Sequence, residues 1–284
     1  MCFKSRIHHI LALLAFLQPI ITCPGCTVKE DRDLCPCLLE MRFSGDDAGR
    51  ICDCGISVFL AGRGGRAEGF ALSDTLRLTS SEGSLWWAST VPRGSLYVAA
   101  VYPSTISVSP SDPDSFVTIR KGDSCPELWM FCEEVSTMCE RRYVEPRLHK
   151  NYCALTMRIC DRSGAPFPFR LEVRGDVCGY DMSGVPRIGE FIAEAKYSED
   201  VSSGNYYEAI VNIPRQSDSS LALDIISDDD KVRTFAIGNY IEASGYDWGS
   251  ADLKDIVLEI DYARATITFR IDKWQHSEHF EVVI

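Results

Sequence analysis

The chain is expected to be all-β, built from two β-sandwich modules. Short runs of apolar and β-branched residues recur along its length, breaks rich in Gly, Asp and Ser separate them, and long amphipathic helices are missing. Residues 38–43, 56–60, 68–72 and 95–101 are the early runs, divided by breaks such as Ser44-Gly45-Asp46-Asp47 and Gly62-Arg63-Gly64-Gly65. Further on the alternation is cleaner. Cys153, Leu155, Met157 and Ile159 fall on one face of a strand, with Thr156 and Arg158 on the other. Phe169, Leu171 and Val173 repeat the pattern, and Leu221, Leu223 and Ile225 alternate with Ala222 and Asp224. Ile256, Leu258, Ile260 and Tyr262 turn at Ala263-Arg264 into Ile267, Phe269 and Ile271, which predicts a hairpin. Residues 250–254 have room for one helical turn. A polar, Pro-containing stretch around Arg141 to Arg147 marks a boundary, giving a cysteine-rich module at 36–148 and a second at 149–284.

The N-terminus reads as a targeting segment. Lys4 and Arg6 supply positive charge, and Ile10 to Leu17 is an apolar run too short to span a bilayer. Gly25 followed by Cys26 ends that stretch, the arrangement that bacterial lipoprotein processing uses: the thiol takes a lipid before cleavage. Residues 1–25 are thus expected to be a lipoprotein signal peptide, with Cys26 as the lipid attachment site and 26–35 as an anchored lead-in. Cys23 stands where a Leu is usual; as a rival site it follows Thr22, a poorer context. The alternative is an ordinary secretory signal, with Cys26 joining a disulfide.

Loss of Lys4 and Arg6 with the signal moves the formal net charge from −12 to −14. Such a surface repels phosphate backbones, and no basic stripe is interleaved with aromatics, so nucleic acid is not an expected partner. Of the 13 cysteines, Cys2 and Cys23 leave with the signal and Cys26 takes lipid. Ten disulfide candidates remain: Cys35, Cys37, Cys52, Cys54, Cys125, Cys132, Cys139, Cys153, Cys160 and Cys178. All precede residue 179, so the last hundred or so residues hold together by packing.

Several segments resemble one family. The run from Cys26 to Cys37 (CTVKEDRDLCPC) is similar to the mature N-terminus of Bacteroidetes FimB-type fimbrial anchor lipoproteins, the fimbrillin-A associated anchor family. The second half resembles it more closely: Ile213-Pro214-Arg215-Gln216, Ile237-Gly238-Asn239-Tyr240-Ile241, Gly245-Tyr246-Asp247-Trp248, Asp252-Leu253-Lys254-Asp255-Ile256, and Glu259 through Ile267. The cysteine-rich first module and Cys23 depart from the family pattern. The resemblance implies two transthyretin-like sandwiches, no catalysis, no cofactor, a lipid tie to the outer membrane, and a place at the base of a fimbria whose length it limits. It also implies pilins as partners through strand donation, in which an extended segment of one chain completes an open sheet of the next. The tail, where Phe280, Val282 and Ile284 alternate with Glu281 and Val283, is the candidate donated strand; the alternative is the last strand of its own domain.

Other motifs have simpler readings. Cys35-Pro36-Cys37 and Cys52-Asp53-Cys54 have one intervening residue each, tight for a zinc site, and disulfides joining the two motifs are expected instead. His276 and His279 lie three apart, on opposite faces of a strand, and His149 has no Gly-x-Ser-x-Gly elbow. No catalytic or metal residue is therefore assigned. Gly62-Arg63-Gly64-Gly65-Arg66 lacks the Lys-Ser/Thr ending of a phosphate loop, and Asp228-Asp229-Asp230 lacks the other calcium ligands. In Trp86-Trp87 one ring is expected in the core, leaving the other for stacking on a sugar; a surface glycan- or host-binding lipoprotein of the same architecture is the competing reading.

Overall fold

Period-two burial organises the chain from its first strand. In a computed structural model, residues 35–43, 54–61, 67–75, 85–109, 113–160, 169–197, 206–227, 230–261, 266–271 and 279–281 are described. Contacts divide the chain into Met1–Cys35, of which Cys35 is described, and Pro36–Ile284. The first half of the larger unit runs β1 (Cys37–Phe43), β2 (Gly55–Ala61), β3 (Ala67–Thr75), β4 (Leu85–Val91), β5 (Ser95–Tyr102), β6 (Val117–Thr118), β7 (Trp129–Ser136), β8 (Arg141–Val144) and β9 (His149–Lys150). Its sheets are β4-β1-β8 and β3-β2-β5-β7-β9. β1 runs antiparallel to β4 and parallel to β8. Cys37, Leu39, Met41 and Phe43 of β1 face inward to meet Ile56, Leu96, Val98, Ala100 and Val135 of the larger sheet. That interdigitation of two inner faces makes the first sandwich.

The second half runs β10 (Tyr152–Cys160), β11 (Arg170–Tyr180), β12 (Pro186–Glu194), β13 (Lys196–Tyr197), β14 (Tyr206–Pro214), β15 (Ala222–Ile226) and β16 (Val232–Phe235). Helix α1 (Ile237–Ala243) follows, and then β17 (Ile256–Asp261), β18 (Thr266–Ile271) and β19 (His279–Glu281). One sheet is β13-β14-β10-β17-β18-β19; the other is β12-β11-β15-β16, with β6 added to β11. Cys153, Leu155, Met157 and Ile159 of β10 pack against Leu171, Val173, Leu223 and Ile225, as their alternation requires. β17 and β18 pair antiparallel with Ile260 opposite Ile267, the expected hairpin. Both expected features, sandwich layering and near-exclusive β content, hold.

A third apolar cluster joins the halves. β5 is buried on both faces: Leu96, Val98 and Ala100 serve the first core, while Tyr97, Ala99 and Val101 face the other way. There they meet Phe116 and Val117, Leu128 and Met130, and Tyr180 and Met182 beyond β11. β6, from the first half of the sequence, pairs with β11 through Thr118–Gly179 and Val117–Tyr180. Gly179 makes this approach possible, because a Cβ there would sit 2.0 Å from the Val117 carbonyl oxygen and its φ is +155°. Tyr180 is fully buried; its hydroxyl donates to the Asn151 carbonyl and accepts the Arg215 N–H at 2.8 Å. Burial, together with the nearby Cys125, raises the phenol far above its ordinary value, so it stays protonated and able to donate.

Residues 250–254, which have room for one helical turn, do not form it. Arg215 reaches into that loop: its guanidinium donates to the carbonyls of Trp248, Ser250 (2.7 Å) and Ala251 (3.2 Å), and to Asn151 Oδ1 at 3.2 Å. Carbonyls splayed toward one cation cannot also line up along a helix axis. The helix forms instead at α1, where Ile237 and Ile241 lie one turn apart and bury against the second core. Gly238 sits where a Cβ would come within 2.2 Å of the Ser219 carbonyl oxygen.

Asp224 of β15 is buried and accepts both Nε and Nη2 of Arg174 and the Thr234 hydroxyl at 2.6 Å. Burial alone would raise its carboxyl, but these bonds and the Arg174 charge carry it below the usual range. A depressed folded value means the contribution is fully present above the unfolded value near pH 4 and fades as pH falls through the folded one. Asp224→Asn is expected to lose about 2 kcal/mol at pH 7 in urea titrations. The gap to wild type should narrow as the pH drops below about 4. Tyr180→Phe should lose about 1–3 kcal/mol by the same measurement, since the Arg215 N–H is left without its acceptor inside the protein.

Candidate interaction surfaces

The residues expected to carry attachment and polymer contact fall mainly at the chain's ends. Cys26, Cys52, Val282 and Ile284 lie outside the described residues, as do the side chains of Cys160 and Phe280. The backbone of β19 is described: Phe280 pairs with Ile267, and His279 and Glu281 with Thr268 and Thr266. Residues 279–281 thus form the edge of their own sheet over three pairs, the arrangement named above as the alternative to donation. Among the described residues no helix is long and apolar enough to cross a membrane.

Edge strands decide where another chain could add. Several are blunted by brevity: β9 and β13 have two residues each and β19 three. β12 is longer, but the Gly122 N–H bonds the Ile192 carbonyl at 2.7 Å, and Lys121 pairs with Glu190 at 2.8 Å, so a loop covers part of its rim. β4 differs. It is seven residues long, flanks the narrow β4-β1-β8 sheet, and among the described residues no strand pairs with its outer rim.

The two tryptophans of β4 divide as alternation requires. Trp87 is 5% exposed, packs in the first core, and donates Nε1–H to Asp74 Oδ2 of β3 at 3.1 Å, tying the two sheets together. Trp86 points outward and is 51% exposed. On the same outer face Arg42 lies opposite Trp86, and its guanidinium stands 5.1 Å from the centroid of the Tyr143 ring. Arg141 approaches that ring from 5.9 Å and donates to the Tyr143 hydroxyl at 3.0 Å, while its Nε lies 3.8 Å from Glu40. Indole, phenol and two guanidiniums thus share one outer face on a chain that is otherwise strongly acidic. No sequence signal marks Arg42, Arg141 or Tyr143. They meet because β1 and β8, about a hundred residues apart, pair in parallel.

The remaining candidates serve structure. His149 Nδ1 lies 3.5 Å from Asp252 Oδ1, which also accepts the Lys150 N–H at 2.9 Å; Lys150 Nζ bonds Asp255 at 2.5 Å. These contacts strap β9 to the loop before β17. Asp230 closes the β15–β16 turn with φ +59°, donating its N–H to the Ser227 carbonyl. Among the described residues no group of three or more His, Cys, Asp or Glu is placed to hold a metal. Cys125 and Cys153 are buried in the second core, and burial raises both thiols, Cys153 to about 12. Cys54 is buried in the first core beside β2; Cys132 lies on β7 and Cys178 on β11.

Several solved structures have the same arrangement of strands. A candidate adhesin from Bacteroides ovatus superposes with a TM-score of 0.61 at 11% identity, covering 87% of this chain and 96% of that one. The fimbrial anchor protein Mfa2 from Porphyromonas gingivalis gives 0.58 at 12%, covering 86% and 99%. A candidate polysaccharide-binding protein from Bacteroides thetaiotaomicron gives 0.55 at 10%, covering 85% and 99%. The chain shares their fold. At these identities the likeness is one of architecture, and neither a family model nor a curated protein matches the sequence.

Trp87→Ala should destabilise the protein by about 3–5 kcal/mol, because it opens the first core. Trp86→Ala should stay within about 0.5 kcal/mol of wild type. Thermal unfolding of the two variants side by side checks the division.

Proposed function

We propose that the chain is an exported, non-enzymatic fimbrial subunit, anchored to the outer membrane through lipid on Cys26, that joins pilins by strand pairing at the fimbrial base and limits fimbrial length. The fold it shares with Mfa2 over 86% of this chain and 99% of that one is the observation that carries this reading. Two features of the chain itself support it. The open rim of β4 offers seven residues of main chain to an added strand, and the brevity of β19 makes the tail inexpensive to release for donation. The segment between Cys26 and Cys37 can extend at most about 40 Å, so an anchored molecule would stand close to the lipid surface. A single acyl chain holds a protein only marginally, and the multiply acylated cysteine of a bacterial lipoprotein meets that need.

The outer face bearing Trp86, Tyr143, Arg42 and Arg141 favours a second reading, a glycan-binding surface lipoprotein of the same architecture. Flat rings offer stacking to a sugar, and guanidiniums offer paired donors to an acidic one.

Cys26→Ala is expected to move the protein from the membrane fraction to the soluble exported fraction and to shed fibres from cells. Deleting residues 278–284 should abolish co-purification with pilins while leaving unfolding midpoints within a few degrees of wild type. Fibres retained at normal length in both variants would overturn the anchor reading. Glycan-array binding lost in Trp86→Ala, with fibres unaffected, would favour the second.

A further inference from the structure

We propose that Cys37 and Cys139 form a disulfide clasping β1 to the chain at the entrance of β8. The spacing of the cysteines points Cys37 toward Cys52 and Cys54; Cys52 lies outside the described residues and Cys54 shares the first core, while the fold also brings Cys139 alongside. β1 and β8 pair in parallel with Leu38 opposite Arg141, and the Leu38 N–H bonds the Glu140 carbonyl at 2.9 Å. Residues 139 and 140 bend just before β8, so Cys139 is released from the alternation of the strand and can stand beside Cys37 rather than on the far face. The Cys139 thiol is near enough to Cys37 to help raise it, and the Cys139 sulfur lies 3.1 Å from the Arg141 carbonyl. β8 has only four residues and sits at a sheet rim, where a covalent tie adds most to its retention.

The two sulfurs have unequal access, which fixes the order of events. Cys139 is exposed, whereas Cys37 is buried in the first core and its thiol is raised by that burial and by Cys139. With a small-molecule disulfide such as oxidised glutathione as oxidant, the Cys139 thiolate attacks one sulfur and releases one glutathione thiolate, leaving a mixed disulfide. Cys37 then gives its proton to water and its sulfur attacks that of Cys139, displacing the second glutathione. Two protein thiols are oxidised and one disulfide is reduced to two thiols. The clasp closes a loop of roughly 100 residues, so it restricts the unfolded chain strongly. Cys37 also opens the first of the described strands. On the anchored reading, the clasp lies where a lipid tether enters the folded body.

The test is peptide mapping of the full chain, refolded with reduced and oxidised glutathione and alkylated before digestion without reductant. A linked peptide pair carrying Cys37 and Cys139 is expected. Reductant should lower Tm by about 10 °C more in wild type than in Cys139→Ser, and should speed deuterium exchange at the Leu38 amide. Alkylation of both thiols, or linkage of Cys37 to Cys35 or Cys54, would overturn the pairing. The same mapping on cell-derived protein reads export separately: a clasp that forms on refolding but is absent from cells leaves the pairing intact and counts against an oxidising destination.

Discussion

The architecture depends on one strand being apolar on both sides. Through β5 the chain commits alternate residues to two different cores, so the first sandwich cannot close without presenting Tyr97, Ala99 and Val101 to something else. That partner comes from the second half of the sequence, in Tyr180 and Met182 at and beyond the end of β11, together with the β6 excursion. The cluster replaces what would otherwise be a hydrated linker with a packed interior. Within it the Tyr180 hydroxyl gives the Arg215 amide and the Asn151 carbonyl partners that water cannot reach. Arg215 then spreads its donors over three carbonyls and so fixes the loop that leads to β17, the strand on which β18 and β19 are built.

Legibility in the sequence followed the range of the interaction. β10, β15 and the β17–β18 hairpin could be read because each carries a two-residue period with partners close by or an obvious turn between them. The division of Trp86 from Trp87 follows from the same period. α1 was hidden, since seven residues with one Ile pair provide no helical repeat to count. β7, β12 and β14 carry no unbroken apolar run, since Glu133, Glu190 and Glu208 interrupt them. β6 was invisible: two residues mark a strand only once β11 lies alongside. Parallel pairing of β1 with β8 left no local trace either, and with it went the Arg42–Tyr143–Arg141 array and the meeting of Cys37 with Cys139. The tail was legible as a strand, but alternation could not say whose sheet it would join; the β19 backbone pairs within its own.

Rims and faces of this molecule have different chemistry. Where a rim is long it is partly covered, as on β12, or left open, as on β4; where it is short, little main chain is on offer. The outer face of the β4-β1-β8 sheet is different again, with cations and rings packed side by side on a protein whose formal charge is −12. Main-chain pairing at a rim and side-chain recognition on a face do not compete for the same atoms. One small sheet therefore has room for both kinds of contact.

The two-sided burial of β5 also has a cost before folding is complete. Leu96-Tyr97-Val98-Ala99-Ala100-Val101 has no charge, no proline and no glycine, and in the folded protein all six residues are hidden. In the unfolded chain the same six are bare, with the composition that stacks readily into cross-β aggregates. Folding without aggregation therefore rests on how soon the second half of the chain arrives to cover them.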